Sequence, residues 1–518
     1  MYRFAIGILL IATACTAPNE DYPFAADLYG GTRQPIDDGM KYAPSDYPDI
    51  KFWNLDPKDF STSALGAMIV HNTTDVSIDY YKRLLISPIV GLSADSRWRD
   101  LGFLPSPYRY QSRRGLSLAE ALNKTSDGHK SVTTACSMCH AGMHGNTVVM
   151  GAPARDLNIQ EVGLIYRKYA SATPYQEEVL YPIIYASANL SPAAFSFNFV
   201  VLSSLAHLMP DAPTYDSWRL PGKSPEFTRL MDYVKREYNG SWPVAQPRPW
   251  WLARYSGYHF WHSTTKHGVD NSAADLALYT GTPNYGQAHP TPWIEKYEHS
   301  RLFQDYMDRI STPPFPGVID QELADKGHEV YHSSGCQKCH GTFAKLDNGY
   351  RLDYPLKGNF LDPAKIGVDI NYFKATSDNA WTAHASQSNK ERKLYNVNVD
   401  IRDTPTIQAP PLIGLWASAP YMHNSSVSTV YLMLNSKLRP DVWKLERSPA
   451  FDAKDLGAVS TVPSGKPDIF VIDTRKMHLS NSGHTYGDML KEEDRRAIVE
   501  FLKTVGTQNV TPNPPSTK

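Results

Sequence analysis

The chain has 518 residues, of which 42% are hydrophobic. That length and composition allow two or three domains with sizeable cores. The formal net charge is only -1, which gives no long-range electrostatic field and argues against a nucleic-acid partner. The 39 prolines predict long loops and short helices.

Residues 1–15 have the pattern of a signal peptide. An arginine precedes an apolar run over 4–12, and small residues then lead to Cys15. The apolar run is too short for a permanent membrane span. Small residues directly before a cysteine resemble a bacterial lipobox, which would make Cys15 the lipidated first residue of the mature protein. Thr16, in place of aspartate, fits sorting to the outer membrane. Ordinary cleavage near Ala14 or Ala17, which would release a soluble protein, is the alternative.

Residues 16–50 are rich in Pro, Asp, Gly and Tyr without periodicity, and we interpret them as a tether over a first domain of residues 51–316. Ser117 and Glu120 form a capping-box pattern that predicts a helix over 117–122.

The strongest motif follows: Cys136-Ser137-Met138-Cys139-His140. Two cysteines separated by two residues and followed by histidine attach a c-type haem. The thiols form thioethers with the two vinyl groups, and His140 becomes the proximal iron ligand.

Between the two haem motifs, residues 148–154 predict a short apolar passage that ends in a turn. Residues 178–186 and 197–208 have helical patterns that would cover one haem face. Trp250 and Trp251 follow two prolines and would form a rigid pair of indoles. We place the domain boundary near Pro316, after a proline-rich stretch.

The second haem motif is Cys336-Gln337-Lys338-Cys339-His340. A helix is predicted before it over 321–331, and an amphipathic helix over 491–505 carries acids in its first turn. Gly327 would allow the two helices to cross closely. These elements define a C-terminal domain of residues 317–508, which resembles a class I cytochrome c. A disordered tail would occupy 509–518. A single four-cysteine zinc or iron–sulfur site is the alternative, and the histidine after each pair argues against it.

The predicted fold class is therefore mainly α: two cytochrome c-like haem domains with long, Pro-rich loops and little β structure.

Residues 410–424 resemble a motif of a known protein family. Their sequence is Pro-Pro-Leu-Ile-Gly-Leu-Trp-Ala-Ser-Ala-Pro-Tyr-Met-His-Asn, which resembles the signature of bacterial dihaem cytochrome c peroxidases. The residues around it look most like the rubber oxygenase RoxA branch. The stretch 481–487, Asn-Ser-Gly-His-Thr-Tyr-Gly, and Pro249-Trp250-Trp251 resemble the same branch. The chain is shorter than the rubber oxygenases, so a rubber substrate is not implied.

The resemblance implies that His484 is the distal ligand of the second iron, which would then be bound by two histidines. Met433 is the rival, since peroxidases have a methionine a short way past the signature histidine. His478 and Met477 are further alternatives as the ligand. His484 could instead be an exposed loop residue without a ligand role.

No sequence-near ligand suggests itself for the first iron. Met143 and His144 lie too close to His140 to reach the opposite haem face, and His207, His259 and His262 are unsupported. We therefore predict an open first iron as the reaction site.

Trp250 or Trp251 would line the pocket at the first iron or relay an electron between the haems. Simple packing is the alternative for this pair. His423 would lie near the second haem or at the domain interface, with fixing of its own loop as the alternative. Ser418 and Pro420 fall where the family offers backbone oxygens to a calcium ion, so one calcium is an optional further cofactor.

The pattern favours a haem-dependent oxidoreductase. A RoxA-like oxygenase would cleave an apolar substrate with dioxygen, and a peroxidase would reduce hydrogen peroxide with electrons from a small redox protein. A pure electron carrier is the other class. The export signal places the protein in the periplasm or on the outer membrane of a Gram-negative bacterium, held by a lipid anchor only.

Overall fold

A computed structural model describes the chain in discontinuous ranges, and they include most of the predicted second domain. The described ranges are 33–35, 41–42, 44–55, 76–77, 102–109, 118, 120–125, 130–134, 137–157, 245–263, 266–268, 304–347, 349–373, 406–465, 468, 470–476 and 478–506. Several predictions lie outside these residues: the signal peptide with Cys15, the attachment cysteine Cys136, the helical patterns over 178–186 and 197–208, His207, Met477 and the tail.

The prediction of a mainly α protein with little β structure is wrong. The described residues are 29% helix and 20% strand, and the strands form several small sheets. The main reason is local: each haem-attachment helix is a single turn, and the chain enters a strand directly or one residue later. Helical structure is therefore interrupted where the cytochrome-like pattern suggested that it would continue.

Seven helices have both ends within the described ranges, and we number them α1 to α7: Ser137–His140, Ala253–Ser256, Gln321–Ser333, Gln337–His340, Pro363–Ile366, Val430–Met433 and Glu492–Thr504. Short 3-10 turns lie at Pro44–Asp46, Trp250–Leu252, Leu415–Ala417 and Ser436–Leu438.

The strands, β1 to β16, are mostly two to five residues long: Arg33–Pro35, Lys41–Tyr42, Lys51–Trp53, Val76–Ser77, Tyr108–Arg109, Glu120–Thr125, Lys130–Thr134, Ala141–His144, Thr147–Met150, Thr342–Leu346, Gly349–Tyr354, Phe360–Leu361, Ile407–Gln408, Val442–Leu445, Ser460–Thr461 and Val471–Asp473. The largest sheet has the order β1-β6-β7-β4, and a three-stranded sheet has the order β3-β9-β8.

Strand β6 contradicts the helix predicted over 117–122. Its residues pair antiparallel with β7, with Glu120 opposite Thr134 and Lys124 opposite Lys130. Strand β7 carries Val132 and two threonines, whose branched side chains favour a pleated surface. Cross-strand pairing therefore overrides the local capping-box pattern.

The two haem segments share more than their motifs. After α1, strands β8 and β9 form an antiparallel hairpin with His144 opposite Thr147. After α4, strands β10 and β11 form another, with Leu346 opposite Gly349. The similarity between the halves thus extends beyond the haem motifs.

The crossing of α3 and α7 confirms the two predicted helices of the second domain. Gly327 lies against the backbone of α7: a Cβ added there would come within 1.9 Å of the Ala497 carbonyl oxygen. Phe501 packs beside it between Tyr331 and Tyr350. Only glycine permits the two backbones to approach so closely. The close crossing fixes α3, the helix that leads to the second haem motif, against α7.

Parts of the predicted tether take part in the fold. Strand β1 pairs with the end of β6, and β2 pairs with β5. Strand β3 runs parallel to β9, directly beside the first haem hairpin. Among the described helices, none is both long enough and apolar enough to cross a bilayer.

Candidate haem centres

The second haem segment is fixed from both ends of α4. The Tyr331 hydroxyl donates to the Gly341 carbonyl oxygen at 2.7 Å, and the Cys336 N–H donates to the Tyr331 carbonyl oxygen at 3.1 Å. Burial raises the pKa of the Cys336 and Cys339 thiols. The segment therefore presents the two thiols close together, at the start and near the end of one helical turn.

His340 has a defined orientation. Its Nδ1 lies 2.7 Å from the Pro410 carbonyl oxygen. A carbonyl oxygen can only accept, so Nδ1 carries the proton and Nε2 keeps its lone pair. Burial lowers the pKa of His340, which keeps the imidazole neutral. This is the arrangement that a histidine ligand of a metal ordinarily has.

His484 lies opposite His340. The two ring centroids are 6.1 Å apart with 59° between the planes. Two bonds of about 2 Å from imidazole nitrogens to a first-row metal, plus roughly 1 Å from each nitrogen to its ring centre, give a separation of about 6 Å. The rings are thus spaced to hold one metal atom between them, and the residues present fit an iron.

The backbone around His484 is held by a single arginine. Arg439 donates to the carbonyl oxygens of Asn481, Gly483 and His484 at 2.7 to 3.1 Å. His484 itself has a positive φ of 49°, a conformation that costs free energy in a residue with a Cβ. Burial, and then the charges of His340 and Arg439, lower the pKa of His484 to about 4. The loop therefore presents a neutral imidazole in a fixed position.

The rival residues lie close by. Met433 ends α6, its carbonyl oxygen accepts from Arg439 at 3.2 Å, and its side chain packs against the core. His478 is buried, and its carbonyl oxygen accepts from the Asn424 side chain at 3.2 Å. Met477 lies outside the described residues. Of these candidates, His484 is the one whose ring contacts that of His340.

The first haem segment is also anchored locally. The Ser137 hydroxyl donates to the Leu118 carbonyl oxygen at 2.6 Å. Residues 151–157 fold back on α1: the Gly151 N–H donates to the His140 carbonyl oxygen at 2.7 Å, and the Ala154 N–H to that of Cys139 at 3.0 Å.

His140 faces an indole where His340 faces an imidazole. The Trp250 ring stacks on it with centroids 4.6 Å apart and 21° between the planes. Burial lowers the pKa of His140 to about 3, opposed by a weaker effect of the Arg248 backbone. Trp250 thus lies beside the histidine that the motif predicts as the proximal ligand.

Trp251 reaches the other haem segment. It is fully buried, and its indole N–H donates to the Ile413 carbonyl oxygen at 3.3 Å. Ile413 lies three residues after Pro410, the partner of His340. One short stretch of backbone, 410–413, therefore accepts hydrogen bonds from His340 and from Trp251, the neighbour of the indole that stacks on His140.

The other predicted residues are placed elsewhere. His423 is buried with its ring 5.2 Å from Tyr372 and 5.1 Å from Phe373. His262 packs on Phe260 at 5.1 Å, and His259 bonds with His267 at 2.9 Å.

Ser418, one of the two positions predicted to face an optional calcium ion, makes a protein contact, and calcium stays a prediction. The Ser418 carbonyl oxygen accepts from the Gln246 side chain at 3.0 Å, and Pro420 follows one residue after Ala419. Across the described ranges, no three His, Cys, Asp or Glu side chains converge as a metal ion would need. Cys139, Cys336 and Cys339 are therefore not gathered into one zinc-like site.

Motifs did not reveal Arg439, the Pro410 carbonyl oxygen or the buried Arg155. Long-range backbone contacts make these residues important, and no local pattern signals such contacts.

Comparison with known proteins gives one family match, at the second haem region. Residues 406–444 match the family described as RoxA-like, cytochrome c-like. This stretch contains Pro410, Ile413 and Arg439, so the match covers the residues that position His340 and His484. A cytochrome c-like domain of the RoxA type, and with it a haem c protein, is supported. The wider dihaem peroxidase superfamily is not confirmed.

Two relatives come from Sinorhizobium fredii (strain NBRC 101917 / NGR234). The uncharacterized protein y4iM is 24% identical over 237 residues, 39% of this chain and 52% of that protein. The uncharacterized protein y4iJ is 29% identical over 164 residues, 28% of this chain and 27% of that protein. The chain thus spans about half the length of the first relative and about a quarter of the second.

Proposed function

We propose that the chain is a dihaem c-type oxidoreductase in which the two irons have different tasks. His340 and His484 would hold the second iron from both sides, and His140 would hold the first from one side. The observation that carries the proposal is the contrast between the imidazole 6.1 Å from His340 and the indole stacked on His140. Bound haem would supply electron storage at the second site and binding of dioxygen or peroxide at the first.

The protein's own residues would fix the ligands and exclude water. The Pro410 carbonyl oxygen sets the tautomer of His340, and Arg439 holds the His484 loop. Trp250 and Trp251 are both buried. Trp250 would keep the His140 ring oriented, and Trp251 would join the two haem segments through Ile413. This placement favours a positioning and relay role for the pair over a wall of the reaction pocket.

Dioxygen is the co-substrate that we propose first, with an apolar organic molecule as its partner. Its support is the RoxA-like match over 406–444. The organic substrate itself is left open.

Peroxide reduction is the second candidate, and one observation favours it. Tyr486 is 66% exposed and its ring contacts that of His484 edge-on at 5.4 Å. A small redox protein could therefore deliver electrons close to the second haem, as a peroxidase needs.

Haem content and carbon monoxide binding test the proposal. Alkaline pyridine should report two c-type haems per chain, and carbon monoxide should bind to one of them after reduction. Two carbon monoxide-insensitive haems would leave an electron carrier. Oxygen uptake with an unsaturated apolar substrate, set against peroxide turnover with a reduced donor protein, would then separate the two enzymatic versions.

We also propose that the protein is exported and anchored by lipid at Cys15. Labelling with a radioactive fatty acid should mark the wild type and leave a Cys15→Ser variant unlabelled. Equal labelling of both, or of neither, would contradict the anchor.

A further inference from the structure

A group of buried polar atoms next to the first haem segment has no hydrogen-bond partner. His144 and Arg155 are each 1% exposed. Both ring nitrogens of His144, and Nε and Nη1 of Arg155, lack a partner, as does Oδ1 of Asp156. Buried polar atoms are nearly always hydrogen-bonded, so such a group points to something that binds there.

Arg155 has one carboxylate nearby, but that carboxylate does not satisfy its remaining donors. Its Nη2 donates to the Ser448 hydroxyl at 3.1 Å and to the Ala450 carbonyl oxygen at 2.6 Å, which are neutral acceptors. Asp156 Oδ1 lies 3.6 Å from Arg155 Nε, too far for a hydrogen bond. The other oxygen of Asp156 accepts from the Ser448 N–H at 3.0 Å.

The charges of Arg155 and His144 also indicate which kind of ligand would bind here. Burial lowers the pKa of the Arg155 guanidinium, yet an arginine stays charged in a protein. Burial, and then Arg155 itself, hold the pKa of His144 well below its usual value. The site therefore presents one cation and one neutral imidazole that can donate a single N–H.

The group lies beside the haem attachment. Ala154, the residue before Arg155, donates its N–H to the Cys139 carbonyl oxygen at 3.0 Å. The Ser448 hydroxyl, which accepts from Arg155, itself donates to the Met143 carbonyl oxygen at 2.5 Å. The buried donors are thus held to the same backbone that carries Cys139 and His140.

We propose that Arg155 and His144 bind a carboxylate, and that in the mature protein this carboxylate is a propionate of the haem attached at Cys139. The assignment rests on the proposed haem at that cysteine. A carboxylate matches the fork of Arg155 donors that Asp156 leaves unbonded, and it accepts the N–H of His144. A free small carboxylate would satisfy the same chemistry, so the experiment separates the two sources.

The experiment compares Arg155→Gln with Arg475→Gln in the two-haem protein. Arg475 is an exposed arginine paired with Asp473 and serves as the matched control. Loss of the Arg155 charge should favour the oxidised first haem at least tenfold, a fall of 59 mV for one electron. The second haem and the Arg475 control should keep the wild-type midpoint. Carbon monoxide binding identifies which midpoint belongs to the first haem.

Arg155→Lys and His144→Leu keep the proposal testable if Arg155→Gln does not fold. Either change should move the propionate bending band of the first haem in the resonance Raman spectrum, which a purely structural role would leave in place. Unchanged midpoints and an unchanged band in the folded variants would overturn the proposal.

Added formate tests the free-anion source. If formate changes the midpoint or the unfolding temperature of the wild type, an exchangeable anion occupies the site and the propionate assignment fails. Fewer than two haems per wild-type chain would instead overturn the proposed function, and the propionate assignment with it.

Discussion

The two haem segments begin alike and are completed differently. Each is a one-turn helix followed by an antiparallel hairpin. Around His340, distant parts of the chain supply a carbonyl oxygen at 2.7 Å and a second imidazole at 6.1 Å. Around His140 they supply a stacked indole and, nearby, a buried guanidinium with two of its nitrogens unbonded. Under the proposed function, one attachment motif serves two tasks, because the motif fixes only one side of the iron.

The largest effect is expected from removing the residue that distinguishes the two segments. His484→Ala should open the second iron, so carbon monoxide would bind two haems per chain in place of one. Met433→Leu is the matched test of the rival ligand and should leave the count at one. A count that stays at one in His484→Ala and doubles in Met433→Leu would transfer the ligand role to the methionine.

The second largest effect is expected from a change at the crossing of α3 and α7. It should lower the free energy of unfolding of the second haem region alone. Gly327→Val would push branched carbon atoms into the Ala497 backbone, and such overpacking costs roughly 3 kcal/mol or more. Urea unfolding followed at the second haem's absorption should shift accordingly. Glu329→Ala, an exposed change on the same helix, is the control. An equal shift in both variants would remove the close crossing as the cause.

Substitutions of Trp250 and Trp251 should have different effects. Trp250 should affect the first haem segment, and Trp251 the contact between the two segments. Trp250→Ala removes the indole stacked on His140 and should cost about 3–5 kcal/mol, with a changed spectrum of the first haem only. Trp251→Phe loses one hydrogen bond to Ile413, worth about 1 kcal/mol, and should slow electron exchange between the haems while both spectra stay unchanged. Stopped-flow reduction measures that exchange, and equal rates in wild type and Trp251→Phe would exclude the relay.

The smallest effect concerns pH. Burial is the largest cause of the lowered pKa of His267; Asp308 opposes it, while His259 and Lys357 add to it. His267 thus binds a proton less readily in the folded protein than in the unfolded chain, where its ordinary pKa is 6.5. The free energy of unfolding therefore decreases as the pH falls through that value. Urea midpoints measured on either side of that value should differ less in His267→Gln than in the wild type. A larger difference in the variant would show that the sign is wrong.

Patterns over a few residues predicted the elements that depend only on neighbouring positions. The helices at Gln321–Ser333 and Glu492–Thr504 were predicted with nearly the observed bounds, since each has a clear apolar face and one begins with acids. The strand at Glu120–Thr125 was missed, because its conformation is set by a partner strand and not by its own capping pattern.

The sequence by itself determined the two haem-attachment motifs, the proximal histidines and the helix pair around Gly327, because each is coded within a turn or two of the chain. Only the tertiary structure decided that His484 faces His340, that Trp250 stacks on His140, and that Arg155 is buried with donors unpaired. These contacts join residues from 110 to 295 positions apart, and their free energy depends on burial and exact spacing, which no local pattern contains.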